Sequence, residues 1–311
     1  MLHVLGLGDN VCDVYLHTNT MYPGGQALNF SVYAAALGAA ADFMGVFGTD
    51  TVAEHIRKTL TKKGVGFSRC RIYEGENGFA RVTLKEGDRV FMGSNRGGVI
   101  QRHPIFLTEE DLAYASGFDL IHTTNNGFLD DLLPKLPALQ NPSGHPAWIS
   151  YDFSGRWTEE DRILRVCPWI DFGFLSASSL SDDEVEALCR KMQSLGTRVI
   201  TVTRGSRGAV TFDGRRFYRQ APDYVEPVDT LGAGDSFATA MLVCLAESLL
   251  AEGGLNPSER MLPAEQLERH LPGALKAAAA FSAKTCLVKG AFGEGIPVPE
   301  NMKKRIFAEV L

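Results

Sequence analysis

Short apolar runs alternate with helix-length amphipathic stretches along most of this chain. Residues 4–8 and 42–48 read as strands, with an Ala-rich helical stretch at 26–37 between them. A helix follows at 51–63, opened by a Thr51-x-x-Glu54 capping pattern. Further on, 120–123, 148–153, 172–175 and 199–203 read as buried strands. The helices among them open with Thr108-x-x-Asp111, Thr158-x-x-Asp161 and Ser181-x-x-Glu184. This alternation predicts an α/β fold, a mostly parallel sheet with helices on both faces. Two segments break the rhythm. Residues 79–84 and 89–94 flank Lys85-Glu86-Gly87-Asp88, a hairpin signal, and Asp213-Gly214 marks a second hairpin with a type I′ turn. The first predicts a small separate antiparallel sheet. Residues 251–270 are polar and hold Gly253-Gly254, Pro257 and Pro263, which reads as a surface insertion between two helices.

Bulk properties narrow the function classes. A chain of 311 residues can bury the core of one large α/β domain. The net charge of −6 argues against a nucleic-acid partner, which would want a basic face, but not against binding a nucleotide. No apolar run approaches the ~20 residues a membrane helix needs, so no membrane partner is expected. Met1-Leu2-His3-Val4-Leu5-Gly6 lacks the layout of a signal peptide and reads as the opening strand. The cysteines at 12, 70, 167, 189, 244 and 286 are scattered without C-x-x-C, as expected of buried free thiols in a reducing, cytoplasmic setting.

The chemistry concentrates in two motifs. Asp229-Thr230-Leu231-Gly232-Ala233-Gly234-Asp235-Ser236-Phe237-Ala238-Thr239-Ala240 runs from a glycine turn into an apolar helix. Glycine lets main chain approach a ligand, and the first N–H groups of a helix lack internal partners while the helix dipole adds positive charge there. Such a turn can cradle an anion. Asp235 puts a carboxylate at its mouth, which is costly unless it has work, such as accepting the proton of a hydroxyl that attacks a phosphate. Glycine-rich turns also occur for close packing alone; the length of this run is what makes it specific. The second motif, Pro23-Gly24-Gly25-Gln26-Ala27-Leu28-Asn29-Phe30-Ser31, lies near the N-terminus.

Together the motifs resemble the two signatures of the ribokinase-like (PfkB-type) carbohydrate kinases, a likeness running from Gly8 to about Gly290, with Thr239 a modest departure. Within that family, Gly8-Asp9-Asn10-Val11-Cys12-Asp13-Val14-Tyr15, Asp88-Arg89-Val90-Phe91, Tyr151-Asp152-Phe153-Ser154-Gly155-Arg156-Trp157 and Phe217-Tyr218-Arg219-Gln220-Ala221-Pro222 are most similar to the fructoselysine 6-kinases. The resemblance implies a ribokinase-like three-layer αβα domain spanning 1–311, with a mostly parallel central sheet and a small β lid from about 10–24 and 70–98, through which two copies could form a homodimer. It implies ATP and Mg²⁺, with K⁺ as a further candidate, and a phosphoryl acceptor at a primary hydroxyl, C6, of a fructosyl-amino acid.

The resemblance also assigns roles. Asp235 is the base, and the Gly232, Ala233 and Gly234 N–H groups hold transferring charge. Asp13, Gly24, Gly25 and Asn29 hold the sugar; Asp9 and Asn10 are weaker candidates. Arg81, Arg89, Arg96 or Arg156 could clamp an amino-acid carboxylate bidentately, and the sequence does not choose among them. Thr203, Gly205, Gly208 and Thr230 line the nucleotide. Asp229, facing the 286–291 loop, either holds a monovalent cation or caps its turn. The family's N-x-x-E pair for Mg²⁺ falls on Ser176 and Ser179, so either Asp182, Asp183 or Glu184 substitutes or phosphate and water hold the ion. A kinase for another small sugar, such as fructose, ribose or 2-keto-3-deoxygluconate, stays open, and so do two other readings. A nucleoside kinase would use Phe79, Phe91 or Phe106 to stack a base, and a non-catalytic sugar-binding protein would not need Asp235.

Overall fold

The computed structural model describes residues 1–85, 88–139, 146–253 and 262–307, with the side chains of 84, 85, 88, 89, 305 and 307 left aside. The chain opens with β1 (His3–Gly8), β2 (Val11–Tyr15), β3 (Thr20–Gly24), α1 (Gln26–Ala36), β4 (Ala40–Phe47), α2 (Thr51–Lys63) and β5 (Arg71–Ile72). Then come β6 (Gly78–Lys85), β7 (Asp88–Ser94), α3 (Glu109–Ala115), β8 (Leu120–Thr124), β9 (Trp148–Ser154), α4 (Glu160–Val166) and β10 (Phe172–Ser176). The last third contains α5 (Asp182–Ser194), β11 (Val199–Thr203), β12 (Ala209–Phe212), β13 (Phe217–Gln220), α6 (Ala233–Glu252), α7 (Ala264–Thr285), β14 (Ile296–Pro297) and α8 (Glu300–Phe307).

The large sheet runs β13-β12-β11-β10-β9-β8-β1-β4-β5 and is parallel except where β12 and β13 turn back along β11. Its strands are apolar on both sides because each side carries a core. Leu5, Ile121, Ile200 and Val202 point into one core with Ala115 of α3, Ile163 of α4 and Val185 of α5. Val4, Leu120, Phe172, Phe174 and Val199 point into the other, against Phe30 of α1, Met241 of α6 and Leu275 of α7. Successive strand residues face opposite ways, so the two sets interleave along each strand and make three layers. Helix α6 is long and apolar enough to cross a membrane, unlike the expectation from the sequence, but 61% of its apolar window is buried in the fold.

The second sheet runs β14-β3-β2-β6-β7 and forms the lid. Cys12 and Val14 of β2, Met21 of β3 and Phe79 of β6 share a third core with α1 and α2. Residues 71–72, expected in the lid, pair instead with β4 in the large sheet, and the lid gains β14, which pairs with β3.

Several local expectations are corrected. Helix α2 is capped by Asp50, whose carboxylate accepts from the Ala53 N–H at 3.0 Å; this stronger acceptor, one residue earlier, displaces Thr51, and Glu54 pairs with Lys58. The Thr158 box does not form, because Arg156–Thr158 is a single 3₁₀ turn and α4 starts from Glu159, which binds Arg156 and Arg162 instead. The Thr108 and Ser181 boxes form as expected. The second hairpin turns at Gly214-Arg215, with Phe212 paired to Phe217 and the Asp213 N–H donating to the Arg216 carbonyl at 3.2 Å, but it is not type I′: Gly214 takes φ 90° and Arg215 is not among the residues of positive φ, while Asp213 Oδ1 takes the N–H groups of Arg215 and Arg216. Residues 264–270 belong to α7, which narrows the expected surface insertion, and residues 254–261 lie outside the described residues.

Candidate active site

Two helices begin side by side at one end of the large sheet, and their first turns hold the expected machinery. Helix α6 starts after Gly232, which adopts φ 75°, ψ 2°. A Cβ there would strike the Tyr33 hydroxyl and lie 2.8 Å from Ala291 Cβ, so both backbone angle and space demand glycine. At Gly234 a Cβ would meet nothing within 4 Å. The turn is therefore closely backed at Gly232 and open at Gly234, as an anion cradle at a helix N-terminus must be. The Ala233 N–H closes the turn on the Thr230 carbonyl at 3.3 Å.

Asp235, in the first turn of α6, accepts a hydrogen bond from Asn29 Nδ2 at 2.6 Å. Asn29 lies in the first turn of α1, only 3% exposed, and its Oδ1 finds no partner among the described residues. A buried acceptor left unmatched costs about 1–3 kcal/mol unless a ligand fills it. A Cβ on Gly24 would lie 2.6 Å from Asp13 Oδ2 and 3.8 Å from Asn29 Oδ1, so bare main chain meets both side chains there. Gly25 adopts φ 108°, and a Cβ on it would sit 2.8 Å from Asn10 Cα and the Asp9 carbonyl. Asp13, Gly24, Gly25, Asn29 and Asp235, spread over 223 positions of sequence, thus converge on one crevice between the lid and the large sheet.

The weaker sugar candidates serve the frame. Asp9 takes the N–H groups of Gln26 at 3.0 Å and Ala27 at 3.2 Å and the Thr124 hydroxyl at 2.9 Å, capping α1; burial nevertheless raises its carboxyl above the usual range. Asn10 donates to the Val46 carbonyl and accepts from Asn77, both at 2.8 Å. Cys12 is fully buried, and burial pushes its thiol well up, so it is no nucleophile.

The arginine candidates separate. In the β2–β6 register Asp13 faces Ala80 and Val14 faces Arg81, so Arg81 shares the face of Val14, opposite Asp13. It lies 9% exposed against Gly93 and the Ile306 carbonyl, and the expected substrate contact from Arg81 is not what this face offers. The Arg89 side chain lies outside the described residues, and Arg96 is exposed in the turn after β7. Arg156 stands at the end of β9, paired with Glu159 at 2.9 Å and within 3.2 Å of the Asn125 side-chain oxygen, in the amide orientation that satisfies both. Of the aromatic candidates, Phe79 is packed in the lid core and Phe106 carries the Arg71 guanidinium 4.0 Å over its ring; Phe91 is 64% exposed.

At the nucleotide end the loops after β10 and β11 are tied together. Arg204, 5% exposed, binds Asp182 at 2.5 Å and the Leu180 carbonyl at 2.9 Å, and Arg207 reaches the Ser178 and Leu180 carbonyls. Thr203 Oγ1 donates to the Leu175 carbonyl at 3.1 Å. Gly205, at φ 58°, opens onto empty space, whereas a Cβ on Gly208 would strike the Gln220 carbonyl, so Gly208 is needed for packing on β13. Ser176 and Ser179 are both exposed. Asp182 is held by Arg204 and Arg219 and Glu184 by its capping box, which leaves Asp183 of the three carboxylates considered beside them. Asp229 accepts from the N–H groups of Leu231 at 3.0 Å and Gly290 at 2.9 Å and from the Tyr15 hydroxyl at 2.5 Å, stitching the cradle loop to the loop after α7 and to lid strand β2. Among the described residues no group of three or more His, Cys, Asp or Glu side chains is arranged to hold a metal ion.

Sequence reasoning passed over Asp152 as a functional residue. It lies two residues before the C-terminal end of β9, the end at which ligands of parallel sheets bind, and it is 7% exposed. Burial, helped by the neighbouring Asp235 charge, pushes its carboxyl up to about 7. The signal available was a carboxylate at the C-terminal end of a predicted central strand.

The chain is 37% identical over 297 residues to fructosamine kinase FrlD of Bacillus subtilis, covering 95% of each. It is 33% identical to fructoselysine 6-kinase of Escherichia coli, over 76% of this chain and 86% of that one. A solved structure of an E. coli protein described as ribokinase II, in complex with ATP and Mg²⁺, superposes with a TM-score of 0.73 at 19% identity over 100% of both chains, which shows the ribokinase-like αβα fold. Residues 4–135 and 171–297, holding the crevice and the cradle alike, match the pfkB family carbohydrate kinases, and the chain belongs to that family as a phosphotransferase with an alcohol acceptor.

Proposed function

We propose that this kinase transfers the γ-phosphoryl group of ATP to the C6 hydroxyl of a fructosyl-amino acid such as fructoselysine. The observation that carries the reading is the Asn29–Asp235 hydrogen bond, which joins the sugar crevice to the open turn at Gly234. The names of the relatives at 37% and 33% identity supply the substrate class.

Asp13, Asn29 and the Gly24 main chain bind the ketose hydroxyls, since together they offer both acceptors and donors. Asn29 orients the Asp235 carboxylate by donating to it, and Asp235 positions the primary hydroxyl and accepts its proton late in the transfer. The open N-terminus of α6 stabilises charge on the transferring phosphoryl group. Mg²⁺ neutralises the triphosphate when bound; the exposed Ser176, Ser179 and Asp183 suit an ion held chiefly by phosphates and water. Thr230 and the open Gly205 border the nucleotide. For Asp229 the three donors already on its carboxylate support a loop clamp better than a K⁺ ligand.

The lid and the large sheet share the packing of α1 and α2, which supports one ribokinase-like unit across 1–311. Exposed Phe91 and Met92 on edge strand β7 support the lid as the meeting surface of a homodimer. Six free cysteines support a reducing, cytoplasmic setting. The deciding experiment compares kcat/KM for fructoselysine, fructose-asparagine, fructose, ribose and 2-keto-3-deoxygluconate with ATP, reading product position by mass and NMR. Fructoselysine is expected to win with phosphate on C6; a free sugar in first place overturns the substrate assignment.

A further inference from the structure

We infer that Asp152 reads the charged nitrogen of a fructosyl-amine, its carboxylate pairing with the protonated secondary amine that joins sugar to amino acid. This rests on the substrate reading above and names the residue that makes such a substrate preferred over the free ketose.

At the sugar end a fructosyl-amino acid differs from fructose at one position. C1 carries a secondary amine, protonated at neutral pH, where fructose carries a hydroxyl. Selecting it calls for a buried carboxylate with no protein cation already on it. Asp152 is 7% exposed, and among the described residues no Lys, Arg or His forms an ion pair with it. Its side chain is held by neutral donors, the Ser154 N–H at 2.6 Å and the Gln26 amide. The charged groups facing it are Asp235 on α6 and Asp9 after β1, both acidic. Among the described residues the strand neighbours of Asp152 bring neutral side chains: Thr124 on β8, committed to Asp9; Asn125 beyond it, donating to the Asp152 carbonyl and Gln26; and Phe174 on β10. Arg162 of α4 is spent on Asp130, Glu159 and the Tyr151 hydroxyl. Arg156, the nearest basic residue along the chain, is turned to Glu159 and Asn125.

One observation besides the acidic groups points to a ligand here. Across the crevice, the buried Asn29 Oδ1 lacks a partner among the described residues, beside Asp13 and Gly24. Acceptors are in surplus and cations are absent among the described groups around Asp152, which fits a ligand carrying hydroxyls and an ammonium. Such a ligand also relieves the cost that burial and Asp235 impose on the Asp152 charge, because an opposite charge favours the ionised form.

The test uses fructoselysine and a neutral analogue of equal length in which an ether oxygen replaces the amine. The readout is the ratio of their kcat/KM values. In the Asp152→Asn variant this ratio should fall ten- to a hundredfold, the worth of one charge-assisted hydrogen bond. Fructoselysine titrated calorimetrically near pH 7, in buffers of different ionisation enthalpy, should release part of a proton from the wild type and none from the variant. A merely structural Asp152 would leave both readouts unmoved. An unchanged ratio, with fructoselysine still used by the wild type, overturns the inference alone. If the wild type phosphorylates no fructosyl-amine, the substrate reading falls and takes the inference with it. Should the Asn variant fail to fold, Asp152→Ser carries the same comparison.

Discussion

Replacing Asp152 with Asn should make the ligand-free protein more stable at neutral and alkaline pH, although it removes a crevice residue. The carboxyl stands at about 7 in the fold against an ordinary 3.8, first because it is buried and second because Asp235 lies near. Between those two values the folded state keeps a proton that the unfolded state has released. Unfolding stability then falls as pH rises through that window, since the slope follows the protons bound by the unfolded state minus those bound by the native state. The shift of about 3 pH units amounts to about 4 kcal/mol above pH 8, and nothing below pH 4. An Asn amide oxygen can still accept the Ser154 N–H, so most of this should appear as a gain. Asp9, raised by burial as well, remains in the variant and leaves a residual slope. Urea denaturation of wild type and variant at half-unit steps from pH 4 to 8.5 measures it. The curves should meet near pH 4 and diverge to about 2–4 kcal/mol by pH 8. Parallel curves, or a variant less stable at pH 8, would refute the assignment of a costly buried charge to Asp152.

Asp235→Asn should keep sugar binding and lose about 10²–10⁴ in kcat, because the amide preserves shape and cannot accept the hydroxyl proton; turnover within threefold of wild type would remove Asp235 from the mechanism. The two cradle glycines should fail differently. Gly234→Val, entering open space, should abolish activity with native circular dichroism, while Gly232→Ala, at φ 75° and against Tyr33, should lower the melting temperature in a thermal scan by the equivalent of about 1–3 kcal/mol; equal stability loss in both would show that the turn is only structural.

The periodicity of the chain determined its layers. Apolar strand runs at 120–123, 172–175 and 199–203 have to be covered on both faces, and helices on both sides cover them. The two glycine motifs likewise made the cradle and the sugar residues legible, because left-handed Gly232 and Gly25 are local backbone requirements that leave their mark in sequence. What the chain could not declare locally was partnership. Asp50 outcompeted Thr51 as a cap, Arg71 joined the large sheet and not the lid, and Arg81 turned away from the crevice, each through contacts or register with distant residues. Asp152 shows the same limit most clearly. A carboxylate's charge depends on what surrounds it, and only the fold brought Asp235 and Asp9 near Asp152. Sequence spacing records which backbone a residue can adopt; burial and the sign of neighbouring charge arise only when segments far apart in the chain are packed together.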